Sequence, residues 1–359
     1  MTKERLEIGE PVHLSQLSRR HFLKFLGASG AGVIGLQQAI TEVYGKEPEG
    51  TPIVHTYDTK GNPNRVRIIP EERYRRIMAL KNFPDQFLQR EGINGVGIKP
   101  LSNDATDLAI EVFVEEDHED EISQIRQAAK AKVTNIPIEM TTEQTKTGDD
   151  CSSRNNQYTY MQGGIKVNGD SSTSAGGTLT LACYNSDGDE VLVGSGHVMD
   201  GASEMYQPAG SSRTVGSFHQ WSPKDTGEDV ASYILESGIS AFSRSIISVP
   251  NATGTWDFFG LADEIYNNGP VGCTVSGAGS CTANNEAVGT RRGGLRVYHQ
   301  VNMGSRNATG GDSGGPWMDN NGNLVAVHSG WVDPWLGSIY DVGSAGHQAL
   351  SAVDAQLYP

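Results

Sequence analysis

The chain has 359 residues, 44 of them glycine, and a net charge of −15. That length accommodates two or three domains and a large core. Residues 151–359 hold nine Lys and Arg against nineteen Asp and Glu, a balance that argues against nucleic acid as a partner. Low lysine and surplus carboxylate fit either an acidic protein kept soluble by its charge or one adapted to high salt.

The N-terminus reads as an address. Ser18-Arg19-Arg20-His21-Phe22-Leu23-Lys24 resembles the twin-arginine export motif, and a weakly apolar Gly/Ala stretch follows over residues 25–36. That stretch is too short and too glycine-rich for a transmembrane helix. Residues 1–45 are therefore expected to be a signal segment read by the twin-arginine machinery. The protein is expected to be secreted or extracytoplasmic, and surface-tethered if the signal stays uncleaved.

Residues 46–140 are expected to form a small α/β leader or propeptide domain. Lys60-Gly61-Asn62-Pro63 is a turn, and residues 71–81 have helical composition. Strands are expected at 93–98 and 108–114, a helix at 122–131, and an extended segment at 132–140. Residues 141–156 read as a polar linker. From 157 to 359 the pattern becomes short apolar runs separated by glycine turns, as in all-β folds.

Three positions in this last region carry chemistry. In Gly311-Asp312-Ser313-Gly314-Gly315-Pro316 the glycines permit positive φ and close approach to a substrate. The N–H groups of Gly311 and Ser313 could then meet a developing oxyanion. A serine nucleophile needs a base and a carboxylate that orients it. His197 follows the apolar run Val191-Leu192-Val193 and the turn Gly194-Ser195-Gly196. Asp229 heads the strand-like run Val230-Ala231-Ser232-Tyr233-Ile234-Leu235. His219 and His299 are rivals for the base; Asp200, Asp225 and Glu228 are rivals for the carboxylate.

The order His, Asp, Ser and the hexapeptide around Ser313 resemble the chymotrypsin-like serine peptidases, and Gly194-Ser195-Gly196-His197-Val198-Met199 resembles the histidine motif of their prokaryotic members. The resemblance spans about residues 160–350 and is patchy over 236–290. It implies two six-stranded antiparallel β-barrels with the site in the cleft between them, and an endopeptidase acting on protein or peptide substrates without a cofactor or metal. It also implies that Asn307 lies at the base of the specificity pocket, with His328, Ser329 and Gly330 on its wall. With Asn307 there, a strong Lys/Arg preference is not expected. His328 suggests either an acidic preference or a histidine packed in the barrel, and Ser329 is a candidate partner for the Asp229 carboxylate. The peptidase-like domain does not begin with the Ile-Val-Gly-Gly of animal members, so Asp312 is expected to find another partner, an Arg or backbone N–H groups.

Four cysteines in an exported chain suggest two disulfides, Cys273–Cys281 and Cys151–Cys183. Asn251-Ala252-Thr253 and Asn307-Ala308-Thr309 match the glycosylation sequon. The alternative functions are a non-catalytic binding module on the same fold, and a peptidase that processes only its own leader or linker.

Overall fold

The computed structural model describes residues 12–13, 50–72, 74–75, 93–100, 108–114, 138–146, 154–172, 175–222, 227–247, 251–257, 265–270, 281–292, 295–302, 308–319, 321–334 and 340–358. Its N-terminal part supplies strands β1 (Val12–His13), β2 (Thr51–Asp58), β3 (Pro63–Ile69), β4 (Ile93–Pro100), β5 (Leu108–Val114) and β6 (Ile138–Lys146). β2 and β3 form a hairpin whose turn is held by Asp58, its Oδ1 accepting the N–H groups of Lys60 and Asn62. Residues 71–72 and 74–75 are helical, while the expected 122–131 helix lies outside the described residues.

After β7 (Tyr160–Gly163) come β8 (Lys166–Val167), β9 (Gly177–Tyr184), β10 (Glu190–Gly194), the one-turn helix α1 (Gly196–Met199), β11 (Glu204–Tyr206), β12 (Thr214–Trp221) and β13 (Ala231–Leu235). Their sheet runs β8-β9-β10-β13-β12-β11. An antiparallel bridge between Asn168 and Tyr206, with N–H···O bonds of 3.2 and 2.8 Å, joins its two ends and closes it. β14 (Ser240–Ile246) pairs with β7 outside this ring.

The C-terminal part adds β15 (Gly254–Trp256), β16 (Ile265–Pro270), β17 (Cys281–Arg292), β18 (Leu295–Asn302), β19 (Pro316–Asp319), β20 (Asn323–Pro334), β21 (Tyr340–Ala345) and α2 (Gly346–Ala352). β16, β17, β18, β21, β20 and β19 pair antiparallel in turn, and β19 returns to β16. Each ring thus visits its strands in the order first, second, third, sixth, fifth, fourth. This is the all-β, two-barrel architecture expected for the region; in the second ring β17 also pairs with β4, and β20 also pairs with β6 and β15.

Strand β10 shows why the apolar run before His197 is unbroken. Leu192 points into the first barrel with Leu179, Met205, Val215 and Tyr233. Val191 and Val193 face the other way, into a cluster with Leu181, Met318, Leu324 and Leu350. A strand buried on both faces has no polar positions to alternate.

Two expectations are corrected. Residues 141–146 are not linker: β6 continues through them, parallel to β5 and then antiparallel to β20 at Trp331–Pro334. Backbone pairing, first with β5 and then with β20, sustains a stretch whose residues are polar. Cys183 is a free thiol, fully buried in β9 beside Val191 and Val193, so the bridge to Cys151 is not formed. Burial pushes that thiol far up. Cys151 and Cys273 lie outside the described residues.

The β2–β3 hairpin docks on the C-terminal part through β15, which pairs antiparallel with β2 and parallel with β20. Here His55, 2% exposed, meets the Trp256 ring edge-on at 4.0 Å. Burial, with Arg67 and Arg65 adding to it, pulls its pKa down to about 3. The folded chain holds His55 neutral, whereas the unfolded chain takes up a proton near pH 6.5. Stability is therefore lost as pH falls from about 6.5 towards about 3. In thermal unfolding, the stability of His55→Phe relative to wild type should rise steadily over that window; a difference that does not change with pH would contradict this.

Candidate active site

His197 lies on the single turn of α1, directly after β10. Asp229 lies just ahead of β13, the strand that pairs with β10 through Gly194 and Ala231. The two side chains thus come from adjacent strands of the first barrel. Ser313 comes from the second barrel, in the turn that enters β19.

The Ser313 hydroxyl is 3.0 Å from His197 Nε2, and His197 Nδ1 is 2.6 Å from Asp229 Oδ2. Asp229 Oδ1 accepts the His197 backbone N–H at 2.8 Å. Since His197 is the second residue of α1, this carboxylate also caps the helix. The Asp229 N–H donates to Ser344 Oγ of β21 at 3.1 Å. Asp229 is 7% exposed and the His197 side chain 14%, so the pair lies in a largely dry setting that strengthens its attraction.

The Ser313 turn is bolted to the first barrel. Thr178 N–H donates to Ser313 O at 2.7 Å, Thr178 Oγ1 to Gly311 O at 2.9 Å, and Thr180 Oγ1 to Gly314 O at 2.6 Å. Gly314 has φ +91°, and a Cβ there would stand 2.1 Å from Thr178 O, so only glycine permits this approach. Gly314 N–H donates to His328 O at 2.7 Å and His328 N–H to Gly315 O at 2.8 Å. These bonds fasten the turn to β20 as well. Asp312 is fully buried, and its carboxylate accepts the Thr309 N–H at 3.0 Å, a backbone partner in place of a new N-terminus.

Three of the rival residues have other partners or roles. His219 faces Asp354 at 3.6 Å, and Asp200 is the left-handed C-cap of α1. Glu228 accepts from Ser222 Oγ at 3.5 Å. His299 falls within β18. Asp225 and Asn307 lie outside the described residues. His328 is fully buried, its ring 5.8 Å from that of Trp317. Ser329 is fully buried beside it, and Gly330, at φ +150°, marks a register shift in the pairing of β20 with β21. Bulges of this kind redirect side chains next to sites. Among the described residues no group of three His, Cys, Asp or Glu side chains converges as a metal site.

Sequence reasoning passed over Ser195 and Ser344. Ser195 stood inside the histidine motif, two residues before the ring it touches: its Oγ is 2.7 Å from His197 Nδ1 and donates to Asp229 Oδ2 at 3.0 Å. Ser344 is 115 residues from Asp229 and carries no local signal.

No family model matches the sequence, and no curated protein does. Among solved structures, the chain is similar to a glutamic acid-specific serine protease whose substrate binding is described as using a novel histidine triad. The identity is 21% and the TM-score 0.40, over 55% of this chain and 100% of that one. An alpha-lytic protease homologue, N4, aligns at 15% identity and TM-score 0.42, over 55% and 99%. Nocardiopsis protease aligns at 16% and 0.40, over 55% and 98%. These likenesses are distant, and it is the side-chain geometry around Ser313, His197 and Asp229 that bears on function.

The bolts from β9 should be energetically visible. Thr180→Val keeps the shape and deletes the buried donor to Gly314 O. It should lower unfolding free energy by about 1–3 kcal/mol. If the site is hydrolytic, turnover should drop roughly tenfold or more, as the turn drifts from His197. Wild-type denaturation midpoint and turnover in this variant would show that the bond does not position the turn.

Proposed function

We propose that this protein is a chymotrypsin-like serine endopeptidase. One observation carries the proposal: Ser313 Oγ, the His197 ring and Asp229 Oδ2 form one continuous line of contacts, 3.0 Å on one side of the ring and 2.6 Å on the other. With Nδ1–H donated to the carboxylate, the Nε2 lone pair faces the Ser313 hydroxyl. His197 takes the Ser313 proton as Oγ attacks a substrate carbonyl. It then delivers that proton to the departing amine, which leaves an acyl-enzyme. A water gives its proton to His197, attacks the acyl carbon, and Ser313 recovers its hydrogen. Asp229 holds the ring in its tautomer and balances the imidazolium. The N–H groups of Gly311 and Ser313 are assigned to the oxyanion; Gly311 has φ +95°. Residues 1–45 would direct twin-arginine export, which places the activity outside the cytoplasm.

A second reading, self-processing or latency, is favoured by a specific feature. The N-terminal strand β6 pairs with β20 at Trp331–Pro334, just beyond Ser329, and Ser313 is 2% exposed. An extended peptide seeking that stretch of backbone would compete with β6. In this reading the N-terminal part must leave, by cleavage within 141–156 or by dissociation, before substrates in trans are cut.

The test is cleavage of a mixed peptide library by the full chain and by Ser313→Ala, at low and multimolar salt, with new termini read by mass spectrometry. Wild type should cut and Ser313→Ala should lose about 10⁵-fold or more. Cleavage confined to residues 141–156 of the protein itself would select the self-processing reading. No cleavage of either kind by a folded chain would leave the binding module. Glu or Asp at P1 is the outcome that an acid-binding role for His328 requires.

A further inference from the structure

Ser195 is the N-cap residue of α1, with extended φ/ψ of −70° and 137°, yet its side chain makes no capping bond. Serine is favoured at that position because its hydroxyl ordinarily accepts an N–H of the first turn. Here Asp229 Oδ1 accepts the His197 N–H, so the cap is already supplied. The Ser195 hydroxyl, fully buried, turns instead onto the contact between ring and carboxylate. It donates to Asp229 Oδ2 at 3.0 Å and lies 2.7 Å from His197 Nδ1. Gly196 makes room for this: a Cβ there would stand 2.8 Å from Trp221 Nε1 and 3.2 Å from Asp229 Oδ1.

We infer that Ser195 is a positioning residue that fixes the tautomer of His197 and tunes the proton affinity of the His197–Asp229 pair. A hydroxyl has one proton. The carboxylate is the stronger acceptor, so that proton goes to Oδ2 and leaves a lone pair facing Nδ1. Both neighbours of Nδ1 then present acceptors, Oδ2 and Ser195 Oγ. The ring must carry its hydrogen on Nδ1, which leaves Nε2 free to receive the proton of Ser313. The Ser195 hydroxyl also draws charge from the oxygen that would stabilise the imidazolium. Donation to a carboxylate favours its charged form and weakens it as a base. The Asp229 carboxylate contacts His197 of α1 and Ser195 ahead of it, and the Asp229 N–H bonds to Ser344 of β21. Among these His197 is the titratable group, and the neighbouring Glu228 bonds to Ser222.

The inference rests on the peptidase reading for its kinetic consequence but not for its geometry. Two readouts on full-length Ser195→Ala and Ser195→Thr separate the two. The first is the downfield proton resonance of Nδ1–H, which needs no turnover. Ser195→Ala retains the Asp229 cap and should fold. Its resonance should shift or broaden relative to wild type, and Ser195→Thr, which keeps the hydroxyl, should restore it. The second is the pH profile of kcat/KM. With one donor removed, Oδ2 holds the imidazolium more tightly. The acid limb should therefore move to higher pH by about half a unit or more, with kcat/KM on that limb down about threefold or more. Ser195→Thr should again lie near wild type. A resonance shift in a chain that cleaves nothing would uphold the role of Ser195 and remove the peptidase reading. An unchanged resonance and pH profile in Ser195→Ala would overturn the inference. So would Ser195→Thr being as impaired as Ser195→Ala with an unmoved acid limb, since that points to packing around α1.

Discussion

The site depends on hydrogen bonds exchanged between the two barrels. Thr178 and Thr180 of the first barrel hold three carbonyl oxygens of the Ser313 turn, and Ser344 of the second barrel receives the N–H of Asp229. Each barrel thus fixes a site residue that the other supplies. Charge alone would not place a hydroxyl at 3.0 Å from a ring nitrogen across a domain seam. Short, buried, directional bonds do, because each would leave an unsatisfied carbonyl or N–H if the seam shifted.

That seam also explains the apolar patterning. Strand β10 is buried on both faces because its two valines pack towards β19, β20 and α2 while Leu192 fills its own barrel. A second contact, Val230 and Val327 with Ala349 and Val353, lies beside Asp229. Interiors packed this closely resist small displacements, and Gly177 and Gly314 let the backbones approach where a side chain would hold them apart. The N-terminal strands join the same framework through β17 and β20, so they share edges with the barrel that carries Ser313.

Much of this was legible in the sequence because it is local. The glycines around Ser313, the apolar run before His197 and the acidic residue ahead of β13 each sit within a few residues of the group they position. What was not legible is long-range or disguised. Strand β17, Cys-Thr-Ala-Asn-Asn-Glu-Ala-Val-Gly-Thr-Arg-Arg, has almost no apolar alternation and is held by pairing with β4, β16 and β18. The second part of strand β6, residues 141–146, looked like linker for the same reason. The β2–β3 hairpin hid behind charged residues, with Val66, Ile68 and Ile69 supplying its buried side. An even cysteine count suggested a bridge at Cys183, but its side chain packs in a core cluster. The direction of the Ser195 hydroxyl depends on Asp229 taking over the helix cap, a fact of tertiary structure.

The central claim is that His197 draws a proton from Ser313 and makes it a nucleophile. The most direct measurement is stoichiometric labelling with a fluorophosphonate, with peptide mapping of the product, in wild type and His197→Ala, both before and after removal of residues N-terminal to 157. One phosphonyl group per chain is expected, on Ser313, and it should be lost in His197→Ala. No label on Ser313 in any form, or equal labelling without the histidine, would contradict the claim.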